Sequence, residues 1–204
     1  MSSDVLIVRT GAANLASVVA AFKRLGRSVA ITDNAFAVRN AKRVVLPGVG
    51  AFAPVADLLR NNGLGEAISD RIERDRPTLA VCLGLHLMAS SSEEGEGAVG
   101  LGVLAVTVSR FPDSVVVPQL GWNTVEAEPE CKLLQDGAAY FANSYRITDS
   151  PPGWNVAWSD HGGRFVAAVE RGNVLGCQFH PELSGNWGEG LLKRWLQCRG
   201  GATC

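Results

Sequence analysis

The chain reads as an α/β protein: a mostly parallel sheet with helices on both faces and a small antiparallel extension. Three observations predict this. Short apolar runs alternate with helix-patterned stretches through the first half of the sequence, the pattern of a helix-covered parallel sheet. From Gly100 to Glu170 the pattern changes to short strands and turns, including Val103–Val108, Ala138–Phe141 and Asn155–Trp158. Finally, the residues with the most chemical potential all fall just past the ends of predicted strands, where ligands gather in such sheets.

Taken in order, Val5–Val8 is the first strand. Leu15, Val18, Val19, Phe22 and Leu25 then recur at helical spacing, and Gly26 ends that helix. Ser28–Thr32 and Arg43–Leu46 read as strands, the second running into Pro47-Gly48-Val49-Gly50. Thr78–Val81 leads into Cys82, with a helix-compatible run after Gly84. Ser90–Gly97 is the most loop-like stretch. Asn173–Phe179 is a strand ending at His180, and a last helix near Glu189–Cys198 places Leu191, Leu192, Trp195 and Leu196 on one face, expected to be core. No linker or repeat interrupts residues 1–204, so one domain is expected, burying roughly 70% of its unfolded surface.

Composition narrows the classes of function. A formal net charge of −1 gives no electrostatic reason to expect nucleic acid or an anionic membrane as partner. Five cysteines without Cys-x-x-Cys spacing suit a reducing cytoplasm. Three histidines without carboxylate clusters predict no metal site, and His161, in a turn-like segment, is expected to be solvated. Asp4 and Arg9 bracket an apolar run too short for a signal peptide, and no stretch approaches the roughly 20 apolar residues of a membrane span.

Nucleophilic catalysis is where the sequence is most specific. Residues two apart on a strand share a face, so Glu182 is expected beside His180, fixing its tautomer and stabilising its protonated form. Cys82 stands at a strand-turn-helix junction, the setting of a nucleophile elbow. There the helix N-terminus favours thiolate, and the Leu83 backbone N–H is a candidate oxyanion donor. The loop Gly48-Val49-Gly50 lets backbone approach a ligand closely and is the candidate for completing the oxyanion hole. Each feature has a bland alternative: a buried thiol, a structural histidine, an ordinary turn. Their combination points to a Cys82-His180-Glu182 triad. Walker and dinucleotide signatures are absent.

These segments resemble the class I (triad) glutamine amidotransferases and, within them, the glutaminase subunits of imidazole glycerol phosphate synthases. The motifs that carry the resemblance are Gly11-x-x-Asn14-Leu15-x-Ser17-Val18, Pro47-Gly48-Val49-Gly50-Ala51-Phe52, Cys82-Leu83-Gly84, Glu93-Glu94-Gly95, Gly121-Trp122-Asn123, Tyr140-Phe141-x-x-Ser144-Tyr145 and Gln178-Phe179-His180-Pro181-Glu182-x-Ser184-Gly185. The resemblance implies a flavodoxin-like fold, no cofactor, and hydrolysis of L-glutamine to glutamate and ammonia through a Cys82 thioester. It implies a heterodimer with a (β/α)₈-barrel cyclase subunit that uses the ammonia in histidine biosynthesis. It also implies that His86, Ser144 and Tyr145 contact glutamine, and that Asn14, Gln119, Trp122, Asn123 and Leu183 lie toward the partner or the ammonia exit. Low activity without the partner is implied too, with the Pro47–Gly50 strand as switch.

The chain departs from the family's pattern at several positions. His86 stands where the family carries Gln, Gln119 and Asn143 stand where it carries His, and Leu183 fills a slot that is often basic. A neutral imidazole offers one donor and one acceptor on a rigid ring, unlike an amide. Two other readings therefore stay open: a paralogous glutaminase feeding another synthase, and a catalytically degenerate subunit that only binds a partner.

Overall fold

The computed structural model describes residues 3–11, 15–48 and 50–198. Its first half runs β1 (Val5–Val8), α1 (Leu15–Arg24), β2 (Val29–Thr32), α2 (Ala35–Asn40), β3 (Val44–Leu46), α3 (Phe52–Asn61), α4 (Leu64–Glu73), β4 (Thr78–Val81) and α5 (Leu83–Met88). Then follow β5 (Ala89–Ser92), β6 (Leu104–Arg110), β7 (Gln119–Ala127), β8 (Gly137–Asn143), β9 (Tyr145–Ile147), β10 (Asn155–Asp160), β11 (Arg164–Arg171) and β12 (Val174–Cys177). A 3₁₀ turn at Pro181–Leu183 leads into α6 (Gly185–Gln197).

Nine strands form one sheet in the order β2-β1-β3-β4-β12-β11-β10-β7-β8. The first five are parallel, and β11, β10, β7 and β8 continue the same sheet antiparallel. The antiparallel extension thus joins the parallel sheet edge to edge. A separate three-stranded sheet, β5-β6-β9, packs beside it.

Alternation along the strands explains the two-sided burial. Leu6 and Val8 of β1, with Val44 and Leu46 of β3, face one apolar cluster filled from α3 and α4 by Phe52, Leu59, Leu64 and Ile68. Val5, Ile7 and Val45 face the opposite cluster, where α1 and α6 contribute Phe22, Leu191 and Trp195. The predicted stripe of α6 is core, as expected. That helix begins earlier than its pattern indicates, at Gly185, whose φ of +56° turns the chain into it.

Two polar devices pin the parallel strands. Arg71 is fully buried and donates to the carbonyls of Val38, Ala41 and Pro77, satisfying the end of α2 and the approach to β4. Asp75 and Asn173 clamp the entrances of β4 and β12 together: the Asn173 backbone N–H donates to Asp75 Oδ1 at 2.6 Å, and its Nδ2 to Asp75 Oδ2 at 2.7 Å.

Several local expectations are corrected. Ser90–Gly97 is not all loop, because Ala89–Ser92 pairs with β6 despite its serines. His161 is half-buried rather than fully solvated: its Nε2 lies 2.8 Å from the Val116 carbonyl and its ring meets Phe111 edge-on. Cys82, Cys131 and Cys177 are free thiols.

Glycine is required where the β3 exit meets the start of α5. A Cβ on Gly84 would lie 2.2 Å from the Leu46 carbonyl oxygen, and one on Gly48 would lie 2.4 Å from Leu83 Cβ. Gly84→Ala is expected to destabilise the fold by about 1–3 kcal/mol. Gly190→Ala, inside α6 with only Arg194 Nη1 near its added carbon at 3.5 Å, is expected to stabilise it by about 0.5–1 kcal/mol. Urea denaturation checks both signs; a neutral Gly84→Ala would refute the close approach.

Candidate active site

β4 and β12 are neighbours in the sheet, and the Cys82 N–H donates to the Cys177 carbonyl at 2.7 Å just beyond their pairing. This brings the two chain segments with catalytic potential side by side. Cys82 adopts φ +53°, ψ −110°, a conformation rare outside glycine. Backbone held this way costs of order 1–3 kcal/mol and persists only where its surroundings over-determine it. The surroundings here are the N–H groups of Leu85 and His86, which both donate to the Cys82 carbonyl. The sulfur is turned out at the top of the sheet: the residue is 8% exposed and lines an open cavity of about 220 Å³.

His180 approaches from the end of β12. Its backbone N–H donates to the Tyr140 carbonyl at 2.9 Å, and its own carbonyl accepts from Ser184 Oγ at 2.6 Å. The imidazole faces the Cys82 sulfur on one side and meets Glu182 on the other, Nδ1 to Oε1 at 2.9 Å. Strand alternation does not bring Glu182 there. β12 ends at Cys177, short of the expected Phe179, and the turn Pro181–Leu183 folds the carboxylate back under the ring. Burial of His180 works against its protonated form, but the cysteine sulfur and the Glu182 carboxylate outweigh it and raise the imidazole to about 10. The arrangement suits a cysteine–imidazolium pair.

Of the residues expected at the site, Gly50, Cys82, Leu83, His86, Ser144 and Tyr145 line the same cavity. The Leu83 N–H is not free to receive an oxyanion, however. It donates to the Gly48 carbonyl at 3.4 Å, so an acceptor and not a donor of the Gly48 segment faces the elbow. The reason is the close backbone approach that the two glycines permit. Val49 and Asn14 lie outside the described residues. Among the positions expected toward a partner, Trp122 is 60% exposed and Leu183 46%, while Gln119 is buried and Asn123 donates to the Asp160 carbonyl.

Three groups at the site were missed in the sequence. Glu94 lines the cavity, its carboxyl raised by burial while the Phe52 backbone N–H partly offsets this. The Ala142 carbonyl lies 3.9 Å from the Cys82 sulfur. Gln178, fully buried, contacts both His86 and Cys82. Glu94 stands within the Glu-Glu-Gly motif and Gln178 opens the Gln-Phe-His-Pro-Glu motif, but nothing in the sequence assigns either a role at the site. Among the described residues no group of three or more His, Cys, Asp or Glu is placed to hold a metal ion, and no helix is long and apolar enough to cross a membrane.

The sequence profile of the class-I glutamine amidotransferases matches residues 6–196. The chain is 39% identical over 195 residues to imidazole glycerol phosphate synthase subunit HisH of Symbiobacterium thermophilum, covering 94% of this chain and 92% of that one. Identity to the HisH subunit of Idiomarina loihiensis is 40% over 197 residues, covering 95% and 97%. It is also 39% identical over 208 residues to the chloroplastic imidazole glycerol phosphate synthase hisHF of Arabidopsis thaliana; there 98% of this chain spans 35% of the longer protein. A glutamine amidotransferase crystal structure superposes with a TM-score of 0.74 at 22% identity, covering 94% and 96%, a likeness of fold.

Burial holds the His86 imidazole down from 6.5 to about 4, although its hydrogen bond with Gln178 works the other way. The unfolded chain therefore takes up a proton below pH 6.5 that the folded chain refuses until about pH 4. Stability from this group is complete above pH 6.5 and is lost as pH falls toward 4, by about 3 kcal/mol in all. Urea denaturation across that window should show a steeper acid loss for the wild type than for His86→Gln; equal slopes would mean that the imidazole is not sealed from water.

Proposed function

We propose that this chain, which belongs to the class-I glutamine amidotransferase family, is the glutamine-hydrolysing subunit of an imidazole glycerol phosphate synthase. The observation that carries the reading is His180, held by Glu182 at 2.9 Å and facing a sulfur on a strained turn at a cavity. Cys82 Sγ attacks the carboxamide carbon of L-glutamine. The carbonyl π-electrons move to oxygen, and collapse of that tetrahedral species expels the amide nitrogen, protonated by His180, as ammonia. His180 then takes a proton from water, which attacks the thioester carbon and releases glutamate and the thiol. Glu182 keeps the ring's Nε2 toward sulfur and substrate throughout. The cavity walls at Ser144 and Tyr145 supply the groove for the amino-acid end, and Glu94 offers a carboxylate for the α-ammonium.

The oxyanion needs donors, and the Gly48 carbonyl presently takes the Leu83 N–H. A turn of the peptide after Gly48 would free that N–H and point a second one inward. The same reading assigns that turn to docking of the partner, a (β/α)₈-barrel cyclase subunit that consumes the ammonia in a cytoplasmic histidine pathway. Trp122 and Leu183 offer exposed apolar surface near the site for such a contact, and the reading holds the chain to be a single domain.

Glutamine hydrolysis by the chain alone is expected to be slow. It should rise about a hundredfold or more on mixing with a histidine-pathway cyclase and its nucleotide ligand, the usual worth of one oxyanion donor. Cys82→Ala should abolish it. Absence of stimulation would refute the histidine-pathway assignment, and equal rates for Cys82→Ala and wild type would refute glutaminase chemistry.

A further inference from the structure

We propose that His86 and Gln178 form a positioning pair for the nucleophile: the imidazole dictates which end of the Gln178 carboxamide faces Cys82, and so holds an amide N–H on the sulfur. This deepens the reading of Cys82 as nucleophile and rests on it.

The two ends of a carboxamide are opposite in character. An NH₂ group turned to the sulfur favours its anionic form by donating to it, whereas a carbonyl oxygen favours the thiol by accepting from it. Which end faces Cys82 is settled at the far side of the amide. There Gln178 Oε1 lies 2.6 Å from His86 Nε2, which leaves Gln178 Nε2 at 3.8 Å from Cys82 Sγ. A neutral imidazole has a single N–H. Placed on Nε2 it donates to Oε1 and locks the amide with its nitrogen toward sulfur; moved to Nδ1 it would invite the flipped amide.

Both partners are anchored. His86 stands one helical turn after the elbow, its backbone N–H on the Cys82 carbonyl at 3.3 Å, and Gln178 N–H donates to the Ala167 carbonyl at 2.8 Å. Both side chains are buried, so bulk water does not compete for these bonds. Other polar groups face the sulfur or its cavity from different elements: His180, backed by Glu182, from the end of β12; the Ala142 carbonyl, 3.9 Å from the sulfur, from the end of β8; and Glu94 and Tyr145 from the cavity walls. His86 therefore acts by direction and not by charge. Its action runs through Gln178, which makes it a positioning residue.

Alkylation of Cys82 by iodoacetamide at neutral pH, with the site identified by peptide mass, tests this on the full chain without substrate or partner. Gln178→Leu removes the donor, and His86→Phe keeps the ring while deleting its nitrogens. Each is expected to slow alkylation about tenfold, the size of one hydrogen bond to a charged group. His86→Gln, which restores an N–H at that position, should recover the rate to within about twofold. With the stimulating cyclase present, Gln178→Leu should lower kcat for glutamine while leaving KM near its wild-type value. Urea denaturation confirms folding, and Gln178→Glu serves where Gln178→Leu does not fold, since one carboxylate oxygen then faces the sulfur as acceptor. Unchanged alkylation in the folded variants overturns the proposal, as does a loss in Gln178→Leu without one in His86→Phe. A wild-type Cys82 no more reactive than Cys131 would instead refute the nucleophile reading itself.

Discussion

The site depends on one pairing: β4 lies beside β12 in parallel register, Thr78 to Val81 against Val174 to Cys177. Nucleophile and base come from segments far apart in the sequence, and no local signal measures the distance between them. The pairing does so. It ends with the Cys82 N–H on the Cys177 carbonyl, the last ladder-like bond before the two chains part. Past that bond each chain turns sharply, one into a helix with its sulfur at the corner, the other toward a proline-initiated turn. The strain at Cys82 is sustained because Leu46, Gly48 and Gly84 pack so closely around it that the elbow has no room to relax.

That packing also shapes the electrostatics. The close approach leaves the Gly48 carbonyl against the Leu83 N–H, so the turn that presents the nucleophile also occupies a donor the chemistry needs. Around the sulfur, two imidazoles sit in opposed environments. His180 shares its protons between a sulfur and a carboxylate and is driven toward the charged form. His86 is buried with an amide as its partner and is driven toward the neutral form. One ring is suited to move protons and the other to fix an orientation, although both are the same residue type within one small volume.

Much of this was legible in the sequence. Val5–Val8 and Thr78–Val81 are strands over the limits their four β-compatible residues mark, and the alternation of elements sufficed for the helix-covered parallel sheet. Cys82 and His180 declared themselves because each ends a strand. The meeting of His180 and Glu182 was foreseen for the wrong reason: a strand face and a 3₁₀ turn both place residues two apart within reach, and Pro181 selects the turn. Gly185 and its polar neighbours hid the start of α6, whose early residues carry little apolar pattern. β5 escaped notice because a run of serines carries no strand pattern; in the fold these serines bond to β6, Ser91 Oγ with Thr107 Oγ1 at 2.9 Å and Ser90 Oγ donating to the Leu104 carbonyl. Gln178 could not be found, since an amide inside an apolar run shows its purpose only when its two neighbours in space are known.

The Asp75–Asn173 clamp sits at the opposite end of β4 and β12 from the chemistry. Because those strands are short and buried throughout, they behave as a stiff strut fastened at its foot. Residues forming the cavity wall can then be exchanged over evolutionary time, as a histidine at position 86 illustrates, without changing the reach between thiol and imidazole. The foot of the strut thus sets the geometry of the site, though it lies at the end of the strands away from the cavity.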